Sequence, residues 1–154
     1  MTYAGMHALD ILRLEKKFLH WGHDITSENN PLEAGLTFAV SFKKETDFIG
    51  RKTLEKIRDI RPKKKLELFS LKNNQIPGKP LLLHDEPIFY KNEVIGNTTS
   101  SNYSFCYKKN ICLAYVKGDL KNYEGLTLEV EGKKYALNHE KHALHDPQSI
   151  NLRN

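Results

Sequence analysis

Histidine spacing gives the first hint of chemistry in this 154-residue chain. His139, His142 and His145 lie three residues apart, and His20 and His23 repeat that spacing. On a helix, residues three apart share one face, so these imidazoles could hold a metal ion. No cysteine or carboxylate completes a zinc signature, and a polar segment around His139 explains the residues equally well. We therefore predict no metal site.

Nucleophilic catalysis and nucleotide binding both lack a recognisable motif. A Ser or Cys nucleophile needs a base and an orienting group, and the sequence has no nucleophile elbow to place them. The nine glycines are scattered, with neither a G-x-G-x-x-G fingerprint nor a P-loop. Cys106 and Cys112 lack C-x-x-C spacing, which is typical of free thiols in a reducing compartment. The motifs therefore predict no catalytic residue.

Basic residues cluster in one place, in a chain whose net charge is +5. This basic cluster could attract an anionic ligand or nucleic acid, or it could be a solvated linker interrupted by Pro62. No aromatic residues alternate with the charges, as a stacking surface for nucleic acid would require. We therefore predict no nucleic-acid partner. The cluster comprises Arg58, Arg61, Lys63, Lys64 and Lys65.

Apolar segments are too short for a membrane-spanning helix, which needs roughly 20 residues. Residues 1–10 also lack a basic region followed by an apolar stretch, which a secretory signal would have. We therefore expect a cytoplasmic chain without a membrane partner.

The elements that must position these residues begin with two helices. Residues 3–17 carry apolar side chains at three- and four-residue spacing, which predicts a helix. Residues 20–31 have a loop composition. Residues 36–42 alternate weakly and are interpreted as a strand. Residues 52–59 have helical spacing that ends before Pro62, which predicts a second, short helix.

The first predicted helix begins almost at the chain start, so no preceding segment covers its apolar stripe. A short helix is marginal alone and depends on tertiary packing. We interpret this start as a cut through a longer domain. We expect the exposed stripe of Met6, Leu9 and Leu12 to support self-association.

After Lys65 the sequence changes to short runs of branched and aromatic residues, separated by turn signals such as Glu131-Gly132. Six or so strands at this spacing predict a small antiparallel barrel or sandwich. The boundary falls near Arg61, which gives domains of residues 1–61 and 62–154. The predicted strands are residues 66–71, 81–83, 87–90, 94–99, 111–116, 126–130 and 135–138.

A series of short segments runs through nearly the whole chain in a distinctive order. In the first part they are residues 12–16 (Leu-Arg-Leu-Glu-Lys), 21–26 (Trp-Gly-His-Asp-Ile-Thr), 31–36 (Pro-Leu-Glu-Ala-Gly-Leu) and 47–51 (Asp-Phe-Ile-Gly-Arg). In the second part they are residues 78–80, 86–90, 94–96, 98–100, 113–116, 146–147 and 152–153. This ordered set resembles the glycine cleavage T protein (aminomethyltransferase) superfamily. The resemblance implies an α+β fold, in which a short helical and strand remnant of the folate-binding domain precedes a small antiparallel Greek-key-like β-barrel.

Departures from the aminomethyltransferase pattern indicate a branch of that superfamily. Leu9-Asp10 stands where aminomethyltransferases carry Arg-Asp, so an arginine taken to help bind substrate is absent. Lys16, Trp21-Gly22 and residues 89–91 are more similar to dimethylglycine and sarcosine dehydrogenases or oxidases. The resemblance thus implies the C-terminal part of such an enzyme, which transfers a one-carbon unit to tetrahydrofolate and carries FAD in a separate N-terminal domain. Its ligands would be folate and a small methylated amine.

Four folate-binding candidates follow from the resemblance. Phe38 follows the Ala-Gly-Leu segment, where the family often places an aromatic near the folate ring, and Arg153 in the closing segment suits an anionic folate group. Tyr90 and Tyr103 are further candidates, whereas Trp21 is expected to pack against the first helix. A core position for Phe38 and a frayed chain end for Arg153 are the alternatives.

Two further expectations concern what the chain lacks. Ser101-Asn102 replaces the Gly pair that the family usually has after Thr-Ser, so we expect a reshaped loop there, or the loss of its binding role. The acidic residue that does the proton chemistry of the family lies on an earlier segment without a counterpart here. We therefore expect no turnover, and weak or no folate binding, from the isolated chain. The alternative function is a stand-alone, non-catalytic binding or assembly module built on the same barrel.

Overall fold

The fold places two short helices before a closed six-stranded barrel. The structure is a computed structural model that describes residues 4–73, 76–151 and 153. The helices are Met6–Glu15 (α1) and Arg51–Ile57 (α2), with the 3₁₀ helix Thr37–Ala39 between them. The strands are Lys64–Leu71 (β1), Pro87–Tyr90 (β2), Glu93–Ser104 (β3), Lys109–Lys117 (β4), Leu126–Val130 (β5) and Lys133–Glu140 (β6).

The strands close in the order β1-β4-β3-β2-β5-β6, and every pairing is antiparallel. Strands β2, β3 and β4 are joined as successive hairpins, and β1 lies beside β4, which is a Greek-key arrangement. The predicted α+β class with a small antiparallel barrel is therefore confirmed.

Alternate positions of β1 and β4 belong to two separate cores, as the pleat of a strand requires. One core receives side chains from all six strands, among them Phe69 and Val116, and therefore fills the barrel. The other contains Leu68 and Leu113 together with Leu14 of α1. Its buried members come from β1, β4 and α1, and Leu144 after β6 packs against them. This core therefore lies on the outer face of the barrel, where α1 and the C-terminal segment cover it.

Helix α1 ends in a hydrogen-bonded turn that reverses the chain. Lys17 adopts a left-handed backbone conformation with φ 55°. Its N–H donates to the carbonyl of Leu14 at 2.9 Å, and the N–H of Phe18 donates to the carbonyl of Arg13 at 2.8 Å, which is a Schellman motif. The helix is therefore shorter than the predicted residues 3–17, and residue 3 lies outside the described residues. Beyond the turn, Leu19 and Ile25 pack against the outer core.

The prediction of a strand at residues 36–42 is wrong. Gly35 has φ 71°, which turns the chain, and Thr37–Ala39 then forms a 3₁₀ helix. The N–H of Ala39 donates to the carbonyl of Leu36 at 2.9 Å, and that of Val40 to Thr37 at 3.0 Å. Local hydrogen bonds thus satisfy backbone groups that a strand would leave for a neighbour.

The prediction of a strand at residues 81–83 is also wrong. Leu82 is buried in the barrel core as a strand residue would be, but Leu83 has no ladder partner. Its carbonyl instead accepts hydrogen bonds from the hydroxyl groups of Thr98 at 3.1 Å and Ser101 at 2.6 Å. Side-chain hydroxyls therefore hold this segment to β3.

Ser101 and Asn102 do not form the reshaped loop that the sequence predicts. They continue strand β3 and pair with Cys112 and Ile111 of β4. Neither residue has a positive φ, so the replacement of a Gly pair causes no backbone strain here. The register shift falls earlier, between Thr98 and Ser100.

The apolar stripe of α1 is exposed, as the sequence predicts. Met6, Leu9 and Leu12 have 69%, 59% and 57% of their surface accessible, whereas Leu14 is fully buried. Self-association through this stripe stays a prediction. Among the described residues, no helix combines the length and the apolar character needed to cross a membrane.

The β5–β6 hairpin provides a test of the turn chemistry. Glu131 (φ 50°) and Gly132 (φ 73°) are both left-handed, as in a type I′ turn, which favours Asn-Gly. Glu131→Asn should raise the free energy of unfolding by about 0.5–1 kcal/mol, because Asn tolerates this conformation better than Glu. Chemical denaturation measures the change. The exposed Glu124→Asn is the control, and an equal gain there would contradict the explanation.

Candidate functional site

Asp24 is the centre of a buried polar network between α1 and the barrel. Its side chain is fully buried. One carboxylate oxygen accepts hydrogen bonds from the Arg13 guanidinium and from the backbone N–H of His20 at 2.8 Å, and the other accepts from the Thr99 hydroxyl at 2.6 Å. Arg13 also donates to the Ser100 hydroxyl at 2.6 Å. The network therefore joins α1, the loop after it and β3.

Glu15 makes a second connection between α1 and the barrel. Its carboxylate accepts a hydrogen bond from the Ser104 hydroxyl at 2.6 Å, and both groups are buried. Its backbone carbonyl accepts from the N–H of His145 at 2.9 Å. Glu15 thus binds strand β3 and the C-terminal segment at the same time, and its carboxylate is buried away from the surface.

Lys16 makes the third connection, to the C-terminal segment. Its ammonium donates to the carbonyl of Asp146 at 2.7 Å and lies 3.3 Å from both the Asp146 carboxylate and the Ser149 hydroxyl. Burial alone would raise the pKa of Asp146, but hydrogen bonds from the backbone of Ile150 and from Lys16 outweigh it and lower the pKa. Asp146 therefore stays ionised and holds the C-terminal segment near α1.

A groove of about 850 Å³ is lined by the third of these connections, Lys16 with Asp146 and Ser149, and we call it the junction groove. Its volume is within the range of small-molecule sites. Phe18, Phe38 and Leu36 supply apolar and aromatic surface, while Lys141 and His142 add polar surface from the opposite side. The groove is thus lined by the N-terminal segment, by β1 and by the residues after β6.

Glu67 lines the groove and is engaged by three other side chains. It accepts a hydrogen bond from the Tyr123 hydroxyl at 3.0 Å, contacts His139 Nε2 at 3.1 Å, and lies 3.6 Å from the Lys17 ammonium. Burial and, secondly, the Glu67 carboxylate raise the pKa of Tyr123 to about 12, so its hydroxyl stays protonated and can donate. The Glu67 carboxylate is therefore engaged in contacts with three side chains and is not a free base.

The four folate candidates lie on different elements. Phe38 is 87% exposed on the 3₁₀ helix and lines the junction groove, so it is not the core residue of the alternative interpretation. Tyr90 is half-buried against the barrel core, and Tyr103 is buried and forms an edge-to-face contact with Phe105, whose ring centroid lies 5.1 Å away. Arg153 is exposed in the C-terminal turn, where its backbone N–H donates to Ile150.

Tyr90 and Tyr103 do not meet at one site. Tyr90 pairs with Glu93 at the start of β3, and Tyr103 pairs with Asn110 near its end. Ten residues of strand span roughly 30 Å, whereas a small-molecule pocket is only about 10 Å across. Of the four candidates, Phe38 is the one that combines exposure with a place in the junction groove.

His20 and His23 lie side by side, with ring centroids 4.6 Å apart, whereas the other predicted histidines lie on different elements. His139 lies in strand β6, and His145 lies in the following segment, where its Nδ1 is 3.3 Å from the Tyr107 hydroxyl. Within residues 4–73, 76–151 and 153, no three His, Cys, Asp or Glu side chains are grouped as metal ligands. Both cysteines are free, and burial raises the pKa of Cys112 to about 12, so its thiol is neutral.

Sequence reasoning missed the roles of Arg13, Asp24 and Glu15, although it identified the segments that contain them. Their partners Thr99 and Ser104 are 75 and 89 residues away, so no local pattern links them. The one signal available was the presence of charged residues beside apolar ones on α1, since Arg13 and Glu15 flank the buried Leu14.

Family models match both parts of the chain. The GCVT N-terminal domain matches residues 1–44, and the glycine cleavage T-protein C-terminal barrel domain matches residues 64–146, more than half of the chain. Mouse mitochondrial dimethylglycine dehydrogenase is 39% identical over 133 residues, which cover 85% of this chain and 15% of that protein. An aminomethyltransferase from Symbiobacterium thermophilum is 41% identical over 113 residues, which cover 73% of this chain and 29% of that protein.

A solved structure agrees with the sequence matches. The crystal structure of glycine cleavage system aminomethyltransferase T from Bartonella henselae superposes with a TM-score of 0.78 at 25% identity, over 91% of this chain and 38% of that one. The chain thus spans less than half the length of these relatives. Because the mouse relative is mitochondrial, the cytoplasmic location stays a prediction. The buried Glu15 and Asp24 and the part-buried Arg13 and Lys16 lie in segments that carry the resemblance. Both family models match, and the chain belongs to the glycine cleavage T-protein family.

Proposed function

We propose that this chain acts in one-carbon transfer to tetrahydrofolate, as the barrel-bearing part of an enzyme of the dimethylglycine or sarcosine dehydrogenase type. In that role it supplies an aromatic wall for folate and no acid or base. The observation that carries the proposal is the contrast between Phe38 and the motif carboxylates. Phe38 is 87% exposed beside the junction groove, whereas the carboxylates of Glu15 and Asp24 are buried and hydrogen-bonded within the chain.

Exposure of Phe38 is costly unless a ligand or another segment covers it. Burying a Phe side chain is worth about 1.5–3 kcal/mol relative to leaving it in water. A flat heterocycle stacked on the ring would recover part of this and add about 0.5–1.5 kcal/mol of aromatic interaction. The 3₁₀ hydrogen bonds of residues 36–40 hold the backbone that carries the ring, so Phe38 is presented on an ordered turn.

The two carboxylates that line the groove, Asp146 and Glu67, are paired with Lys16 and Lys17, so the remaining charge suits an anionic ligand. Lys141 lines the groove, is exposed, and forms no ion pair within the described part of the chain. Arg153 is exposed in the C-terminal turn that follows the segment held by Lys16 and Asp146. Positive charge at this position would attract the carboxylates of folate. We therefore keep Phe38 and Arg153 as folate contacts of this proposal.

Proton chemistry and amine oxidation are assigned to other parts of the enzyme. Tetrahydrofolate, when bound, supplies the nitrogen that accepts the one-carbon unit. A carboxylate near that nitrogen would orient it and balance a cationic intermediate. Glu15, Asp24 and Glu67 are each engaged inside this chain, and FAD has no binding motif here.

Two measurements on the 154-residue chain test the proposal. Incubation with dimethylglycine or sarcosine and tetrahydrofolate should give no turnover, and a measured rate above background would contradict the assignment of catalysis elsewhere. Titration with 5-formyltetrahydrofolate, followed by amide NMR shifts, should give weak binding in the millimolar range. The shifted residues should surround Phe38, and shifts confined to the far end of the barrel near Tyr103 would contradict the proposed contact.

A further inference from the structure

A second cavity, of about 710 Å³, lies between the 3₁₀ helix and the linker from α2 to β1, and we call it the linker cavity. Its apolar lining includes Leu32, Val40, Phe42 and Ile60. Ile60 is 63% exposed, so much of this apolar surface faces water. Phe38 lies on the wall between this cavity and the junction groove. The linker cavity has the apolar lining that a small-molecule site requires.

All charged side chains among the described residues that line the linker cavity are positive: Lys43, Arg58 and Lys65. Within the part of the chain that the structure describes, Lys43 and Lys65 form no ion pair. Arg58 lies 3.4 Å from the carboxylate of its neighbour Asp59, and both are well exposed. Such a contact contributes little. The positive charge of the cavity is therefore largely uncompensated.

The wall that carries Phe42 and Lys43 is fixed by α2. The Arg51 guanidinium donates to the carbonyl of Phe42 at 2.9 Å and to that of Lys44 at 2.7 Å, and its Nε lies 2.8 Å from the Glu55 carboxylate. The Arg58 guanidinium lies over the Phe42 ring, 5.3 Å from its centroid. A guanidinium held against a ring keeps its N–H groups available for an anion.

Lys65 belongs to the rigid side of the cavity. It lies in strand β1 and pairs with Val116 of β4. One wall is therefore strand β1 of the closed barrel and another is the loop that Arg51 holds, so Lys65 and Lys43 are carried by two hydrogen-bonded elements. This arrangement also accounts for part of the basic cluster at residues 58–65, which the proposed folate contacts leave unused.

We propose that the linker cavity binds a small aromatic anion, whose ring packs on Phe42 and Ile60 and whose carboxylate or phosphate group is held by Arg58, Lys43 and Lys65. This site is additional to the junction groove and does not depend on folate binding there. Both anionic groups match a guanidinium by the same bidentate hydrogen bonding, so the cations alone do not select between them. The apolar lining of the cavity favours an aromatic anion over a simple inorganic anion.

The test uses the 154-residue chain and four probes, followed by amide NMR shifts. The probes are 2-naphthoate, 2-naphthyl phosphate, the neutral 2-naphthamide and inorganic phosphate. At least one naphthyl anion should bind with a dissociation constant of about 0.1–1 mM, with shifts at residues 40–43 and 58–65. The neutral amide and inorganic phosphate should each bind at least about tenfold more weakly. The amide lacks the negative charge, and inorganic phosphate lacks the aromatic ring. Tighter binding of 2-naphthoate would identify a carboxylate as the preferred anionic group, and tighter binding of 2-naphthyl phosphate would identify a phosphate. Either order supports the proposal.

Charge variants locate the site. Arg58→Gln and Lys65→Gln should each weaken binding of the naphthyl anion by about threefold to tenfold. Raising the salt concentration should weaken this binding further. Lys121→Gln is the matched control, because Lys121 is exposed and lies outside the cavity. Equal weakening by the control, equal binding of the neutral amide, or no binding of either anion up to 5 mM (about fivefold above the expected range) would each overturn the proposal. Unchanged thermal unfolding of the variants shows that a loss of binding is not a loss of fold.

Discussion

Asp24→Ala should lower the free energy of unfolding by about 3–5 kcal/mol. The Asp24 side chain is fully buried and accepts hydrogen bonds from Arg13, Thr99 and the backbone of His20. Its removal leaves the Arg13 guanidinium, only 13% exposed, without its buried carboxylate partner, and the part-exposed Asp10 carboxylate, 3.6 Å from Arg13 Nε, is a weaker replacement. Breaking a buried ion pair from one side costs more than the pair contributes, because the remaining charge stays desolvated.

Denaturant unfolding of Asp24→Ala and of Glu28→Ala provides the measurement and its control. Glu28 lies on the same loop and is exposed, so its removal should change stability by less than about 0.5 kcal/mol. Asp24→Asn keeps the shape and some hydrogen bonds and should fall between the two. A loss below about 1 kcal/mol for Asp24→Ala would show that the network does not hold α1 to the barrel.

Gly96→Ala should cost about 3 kcal/mol or more, or prevent folding. Gly96 pairs with Val116 where β3 crosses close to β4. A Cβ at this position would lie 1.9 Å from the Tyr115 carbonyl oxygen and 2.9 Å from the Val116 Cα, so the two backbones would have to separate. The hydrogen bonds that close the barrel between β3 and β4 would then be lost.

Gly5→Ala is the control for this substitution. No atom lies within 4 Å of a Cβ built at Gly5, and its φ of −77° suits any residue. Thermal unfolding of Gly5→Ala should therefore differ from that of the unchanged chain by no more than about 0.5 kcal/mol. Similar stability of both glycine variants would mean that β3 and β4 do not approach as closely as described.

The barrel strands could be predicted because their pattern is local. Pro87–Tyr90 and Leu126–Val130 have the predicted bounds, and β1, β3, β4 and β6 extend beyond the predicted ones. In β4, all seven residues from Asn110 to Val116 are buried, because one face of the strand fills the barrel and α1 covers the other. Two segments were wrongly predicted as strands. At residues 36–42 the turn at Gly35 leads into a 3₁₀ helix, and at residues 81–83 hydroxyl groups on β3 hydrogen-bond to the backbone.

The candidate site was predictable only in part. Resemblance pointed to Phe38, and the structure places it exposed beside the junction groove. The contacts from Asp24 to Thr99 and from Glu15 to Ser104 join residues far apart in sequence, so they follow from the closed barrel and not from any periodicity. The α2 clamp on residues 42–44 is likewise a tertiary contact of Arg51 that its sequence neighbours do not reveal.

Folate binding by Phe38 variants tests the central claim most directly. Titration of 5-formyltetrahydrofolate into the unchanged chain, Phe38→Ala and Phe105→Ala compares two exposed phenylalanines, which are 87% and 69% accessible. Phe105 packs edge-to-face on Tyr103 near the far end of β3, so it is the matched control. We expect Phe38→Ala to weaken binding about fivefold to tenfold, as loss of one stacking contact would, and Phe105→Ala to leave it unchanged. Equal affinity of Phe38→Ala and the unchanged chain, or the opposite order of the two variants, would contradict the account.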